Sequence, residues 1–164
     1  MSSAPLVNVV CTANVCRSPM AAELLRHALR AEPAPLNTVQ VVSSGVAAFP
    51  GQPATGHSAT VLRKVGLDLS SHRSSPVTPE FERGAILHLC MTLSHKRILE
   101  EEFPDITGEI RLYREFIPGV QDPVIPDPYG GPISEYEACR DSMVEAVPHI
   151  VAWLRQKLAA TPGA

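Results

Sequence analysis

The 164-residue chain is short of several things, and each shortage narrows what it can be. Aromatics make up only 5% of it, with one tryptophan, so stacking platforms for nucleic-acid bases are scarce. Lysine and arginine total 14 against 17 acidic residues, and a net charge of −3 gives no electrostatic footprint for a polyanion. No apolar run approaches the roughly 18 residues that a membrane-spanning helix needs. The six histidines are scattered and none stands with a cysteine at zinc-ligand spacing, so no metal site is expected. The first charged residue is Arg17, with no basic segment or signal-type apolar core ahead of it, so the cytoplasm is the expected compartment. Four cysteines in such a chain are more readily free or catalytic than a disulfide framework.

What is present is an ordinary globular balance, 45% hydrophobic and 19% charged. A single domain of this length buries roughly 70% of its unfolded surface. There are no internal repeats and no low-complexity segments. Short runs at Leu6–Val10 (apolar but for Asn8), Val39–Val42 (β-branched), Ala85–Met91 (apolar but for His88) and Ile110–Leu112 read as four strands. Helical periodicity falls between them: Met20, Leu24, Leu25, Ala28 and Leu29; then Ala54–Val65, ended by Gly66; a turn opening at Thr78-Pro79; and Leu93–Phe103. A last helix is expected over Ser134–Leu158, with Tyr136, Cys139, Met143, Val147, Ile150 and Leu154 on one face and a kink at Pro148. Strands alternating with helices predict an α/β fold with parallel strands and right-handed crossovers. One domain over 1–164 is expected, with short mobile tails at 1–5 and 159–164.

The chemistry concentrates where the first strand ends. Cys11-Thr12-Ala13-Asn14-Val15-Cys16-Arg17-Ser18-Pro19 turns within about six residues into a helix, with Ser18 as the expected cap and Pro19 in the first turn. Such a turn aims backbone N–H groups and the positive end of the helix dipole at one spot, which suits a bound phosphate. Arg17 can hold two oxygens of that anion. The same field favours a thiolate on Cys11.

These residues resemble the signature loop of the low-molecular-weight protein tyrosine phosphatases, Cys-x-x-x-Asn-x-Cys-Arg-Ser-Pro, and the resemblance extends from Leu6 to about Leu158. It implies a three-layer sandwich with a four-stranded parallel sheet and helices on both faces, and metal-free, cofactor-free hydrolysis of phosphorylated proteins, with Cys11 as nucleophile and Arg17 holding the phosphoryl oxygens. In the long stretch Tyr113–Pro132, five prolines and three glycines in twenty residues exclude regular structure. There, Asp127-Pro128-Tyr129 matches the family's general-acid loop, which makes Asp127 the expected acid rather than Asp122. The resemblance further implies that Asn14, Ser18, Ser43 (in a Ser-x-Gly following the second strand) and His72 support the phosphate loop. Phe49 and Tyr129 become pocket walls, and Cys16 a second loop cysteine able to pair with Cys11 under oxidation. Cys90 and Cys139 read as packing.

Two departures bear on substrate. Ala13 stands where the family often has glycine, and Gly130-Gly131 follows Tyr129 where a second tyrosine is usual. With Cys-Thr-x-Asn and Ser-Pro-Met-Ala, they lean toward the family's protein-arginine phosphatase branch. That branch carries threonine at the position of Val15, against the substrate, whereas the tyrosine branch has isoleucine or leucine. Phosphotyrosine is the expected substrate and phosphoarginine the alternative. Thiol-dependent arsenate reduction would need two further neighbouring cysteines, and a non-catalytic phosphate-binding module would have no use for an acid. Oligomeric state is not legible.

Overall fold

The structure, a computed structural model, describes residues 3–160. The outermost parts of the tails expected at 1–5 and 159–164, residues 1–2 and 161–164, lie outside the described residues. Four strands, β1 (Leu6–Cys11), β2 (Gln40–Gly45), β3 (Ala85–Cys90) and β4 (Glu109–Leu112), pair in parallel in the order β2-β1-β3-β4. Interleaved with them, among the described residues, are a 3-10 turn (Leu36–Thr38) and five α-helices: α1 (Arg17–Arg30), α2 (Gly56–Arg63), α3 (Pro79–Gly84), α4 (Leu93–Glu102) and α5 (Ile133–Ala159). None of the described helices is long and apolar enough to cross a membrane.

The strand alternation divides the core in two. Val7, Val9 and Cys11 of β1, with Leu87 and Leu89 of β3, face the larger cluster, which α1 and α5 cover with Met20, Leu25, Met143, Ile150 and Leu154. Val10 and Cys90 point the other way, toward Leu99 of α4 and Leu112. Successive strand side chains take opposite faces, so helices on both sides are the only way to keep both rows dry. Asn8, the polar break in β1, is completely buried on this second face. It bonds His88 Nδ1 at 3.2 Å across β3 and accepts from Ser44 Oγ at 2.8 Å across β2. A buried amide with partners on both neighbouring strands carries no desolvation penalty to speak of.

Of the boundaries that differ from the sequence expectation, three bear on the site. β2 does not end at Val42: Ser43, Ser44 and Gly45 continue it, paired with Val9, Val10 and Cys11. Ser43 therefore belongs to the strand rather than following it. Gly45 is required there, since a Cβ would lie 2.4 Å from the Thr12 carbonyl oxygen. α2 starts at Gly56 because Thr55 caps it, accepting from Ser58 N. α1 begins at Arg17 with Cys16 in the cap position, and Ser18, expected as its cap, lies inside the first turn. The Ser18 hydroxyl is engaged elsewhere. α5 runs unbroken through Pro148.

Candidate active site

α2, α3 and α4 are each capped by a threonine side chain (Thr55, Thr78 and Thr92). α1 has no side-chain cap and no acidic residue in its first turn. Its leading N–H groups are thus left for something outside the helix, and the dipole makes that something an anion. The sheet delivers β1 to this point, and the carboxyl ends of strands are where open parallel sheets bind ligands.

The loop from Cys11 to Arg17 is held in shape by Asn14. Asn14 is fully buried and its φ is 60°, the only positive value among the described non-glycine residues. Asparagine tolerates that left-handed conformation better than most residues. Its Nδ2 donates to Ser18 Oγ at 2.7 Å and to Ser43 Oγ at 2.9 Å, while Oδ1 accepts from Ser75 N at 2.9 Å. His72 Nε2 donates to the Asn14 carbonyl at 2.7 Å. Burial and the nearby Arg26 and Arg73 hold the His72 ring below its ordinary pKa despite that bond, which keeps it a neutral donor. The four residues expected to support the loop are therefore one connected set. Ser75, absent from the sequence expectation, completes it.

Cys11 Sγ accepts from Asn14 N at 3.3 Å and lies 2.9 Å from Ser18 Oγ. With Asn14 Nδ2 donating into the Ser18 oxygen, the serine proton has two acceptors in reach, the sulfur at 2.9 Å and the more distant Ser44 carbonyl at 3.4 Å. Arg17 is 4% exposed; its Nη1 donates to the Ile125 carbonyl at 2.9 Å, and its Nη2 stands 3.8 Å from Asp127 Oδ2. Asp127 is half exposed and also accepts from Tyr129 N at 3.1 Å.

Cys11, Arg17 and Asp127 line one cavity of about 480 Å³, together with Thr12, Ala13, Val15, Cys16, Phe49 and Tyr129. Asp122 does not line this cavity; it lines a second one, which Asp127 also borders. Phe49 and Tyr129 are 79% and 72% exposed, unusual for aromatics, and stand at the rim. Ala13 is also exposed, so its Cβ meets no obstruction. Gln52, Pro53, Ala54 and Thr55 complete the wall. Sequence reasoning missed these four, and the helix-capping threonine was the signal that could have marked where α2 meets the loop.

Cys16 is buried, with Sγ 3.6 Å from both Thr55 Oγ1 and Tyr136 OH. Burial raises its thiol above the ordinary value, so it rests protonated. Cys90 and Cys139 are pushed to about 12, again by burial, and stay inert. The described residues contain no cluster of side chains suited to a metal ion.

Residues 6–160 match the family described as low molecular weight phosphotyrosine protein phosphatase. A protein-arginine-phosphatase of Geobacillus stearothermophilus is 40% identical over 134 residues, covering 82% of this chain and 85% of the relative. Low molecular weight protein-tyrosine phosphatase A of Mycobacterium tuberculosis is 32% identical over 162 residues, 97% of each. Among solved structures, the YwlE arginine phosphatase of Geobacillus stearothermophilus superimposes with a TM-score of 0.83 at 34% identity, covering 98% of this chain and 99% of that one.

Proposed function

The chain belongs to the low molecular weight phosphotyrosine protein phosphatase family, and from that premise we propose that it hydrolyses phosphotyrosine in proteins through a cysteinyl-phosphate intermediate. The observation that carries the reading is the meeting of three groups in one cavity: the Cys11 sulfur, which accepts from Asn14 N and contacts Ser18 Oγ, the buried Arg17, and the half-exposed Asp127.

Cys11 Sγ, as thiolate, attacks phosphorus at the mouth of α1. The P–O ester bond breaks as the S–P bond forms, and Asp127 gives its proton to the departing phenolic oxygen. Arg17 and the uncapped N–H groups hold the equatorial oxygens, whose charge they meet in the transition state. Asp127, now a carboxylate, takes a proton from water, and that water attacks phosphorus. The S–P bond breaks, phosphate leaves, and the thiolate is restored. Cys90 and Cys139 lie far apart in the chain and burial raises both thiols, which speaks against a thiol relay for arsenate reduction.

Phosphoarginine is the second reading, favoured by relatives named protein-arginine-phosphatase. Against it stands Val15 on the cavity wall. Phosphoarginine presents polar N–H groups that a hydroxyl satisfies and a methyl does not, and an unsatisfied polar group costs roughly 1–3 kcal/mol. A tyrosine ring gains from apolar contact with Val15 and the rim aromatics. Peptides of each kind assayed side by side decide the matter. We expect a modest preference for phosphotyrosine, and Val15→Thr to shift the kcat/KM ratio toward phosphoarginine by about tenfold, about 1.4 kcal/mol. A wild-type enzyme that already favours phosphoarginine overturns the first reading.

A further inference from the structure

We infer that His95 is a positioning residue, one that fixes the Thr12 hydroxyl as a hydrogen-bond donor to the anion bound beside Cys11. The inference rests on the phosphatase reading for its context and on the following geometry for its content. His95 lies in the first turn of α4, far along the chain from the loop, and is 3% exposed. Its Nε2 stands 2.8 Å from Thr12 Oγ1, and its Nδ1 3.1 Å from Thr92 Oγ1. Thr92 Oγ1 also accepts the backbone N–H of His95, at 3.3 Å, as the cap of α4.

The proton order follows from the chemistry of these three groups. A hydroxyl has one proton to give. With the backbone N–H already directed at the Thr92 oxygen, the balanced arrangement sends the Thr92 proton to Nδ1. The ring then carries its hydrogen on Nε2 and donates to Thr12 Oγ1. Thr12, with its oxygen occupied, turns its own proton outward. It is exposed and lines the cavity beside Cys11, so a bound phosphoryl oxygen is the acceptor in front of it. The opposite tautomer would point two N–H groups at Thr92 Oγ1 and aim the Thr12 lone pairs at an anion. Burial, reinforced by the Arg17 charge against an opposing contribution from Asp127, lowers His95 to about 4, so the ring stays neutral and one-sided at neutral pH.

The test measures inorganic phosphate binding by calorimetry, and kcat and KM with p-nitrophenyl phosphate, on the full chain. Thr12→Val should weaken phosphate binding about tenfold, the worth of one bond to a charged group, and Thr12→Ser should recover most of it. His95→Leu should match Thr12→Val, and the double variant should be no worse than either alone. His95→Gln, which can offer an N–H near the place of Nε2, should recover most of the loss. Phosphate affinity unchanged in Thr12→Val overturns the inference, whether or not His95→Leu folds. So does a His95→Leu loss that persists in full on the Thr12→Val background, which would make His95 a packing residue. The phosphatase reading fails differently: Cys11→Ser would keep its turnover, while the calorimetric comparison at Thr12 would still stand.

Discussion

Asn14→Ala should destabilise the protein by about 3–4 kcal/mol. The substitution removes the amide that donates to Ser18 and Ser43 and accepts from Ser75 N, all within 2.9 Å. Losing the acceptor for Ser75 N and the donor to Ser43 costs roughly 1–3 kcal/mol. Ser18 keeps the Cys11 sulfur and loses less. A residue with a Cβ and no compensating side chain held at a φ of 60° adds about 1–2 kcal/mol. Against a total stability of about 5–15 kcal/mol the loss is large but leaves a folded protein. Urea unfolding monitored by circular dichroism gives the midpoint, and an unchanged slope confirms that the compared states are the same. Asn14→Gly separates the contributions: it loses the same hydrogen bonds but not the backbone freedom, and should be about 0.5–1 kcal/mol less costly than alanine after glycine's larger unfolded-state entropy. A loss below about 1 kcal/mol in Asn14→Ala would mean that the loop is held by its backbone and not by this amide. Glycine and alanine behaving alike would remove the strain component.

Asp127→Ala should lower kcat about 10²–10⁴-fold on a phosphotyrosine peptide, and much less on an ester whose alcohol departs unprotonated; equal losses on both would move the acid elsewhere. Peroxide should inactivate the enzyme reversibly: the Cys11 thiolate becomes a sulfenic acid, and the Cys16 thiol, resting protonated, condenses with it and releases water. If Cys16→Ser recovers with dithiothreitol as well as wild type does, Cys16 only packs. Stability should fall on acidification. His95 titrates near 4 when folded and 6.5 when unfolded, so between those values the unfolded chain takes a proton that the folded one refuses. This contribution is fully present above 6.5 and lost as pH falls through 4, up to about 3 kcal/mol. His72 and His88, also lowered by burial, add in the same direction. Urea midpoints at pH 7 and pH 4.5 should show the drop, and His95→Gln should flatten it.

Strand and helix order was legible because the strands carry short apolar runs and the longer helices repeat their apolar residues at the spacing of the covered face. The errors fell where polar residues do structural work. Ser43-Ser44 looked like a loop, yet Ser44 is a buried strand residue bonded to Asn8. Ser18 looked like a cap because serine before proline usually is one, but its oxygen is held by Asn14 and faces the Cys11 sulfur. The phosphate loop was readable since its residues are contiguous. His95 was not, because its contact with Thr12 spans 83 positions and depends on which side of α4 meets the loop. Nothing in the local pattern of Leu93–Phe103 marks that side.

The long irregular segment after β4 is the other case in which distant contacts decide the site. Its prolines and glycines say only that it is neither helix nor strand. Tyr113 and Ile125 are its fully buried apolar side chains, and they are its anchors. Tyr113 N and Ile125 N donate to the carbonyls of Cys90 and Met91, each at 2.9 Å, where β3 ends. Tyr113 OH donates to the Ala21 carbonyl inside α1, and the Ile125 carbonyl accepts from Arg17. Thus Asp127 stands only two residues beyond a point fixed both to the sheet and to the arginine of the phosphate loop. An acid placed this way keeps its register with the nucleophile while remaining half in solvent, where it can exchange its proton after each turnover. Ordering such a chain requires buried side chains to offset its entropy, but Phe116, Ile117, Val120, Val124 and Tyr129 lie in the same stretch, so burial and not local sequence singles out Tyr113 and Ile125.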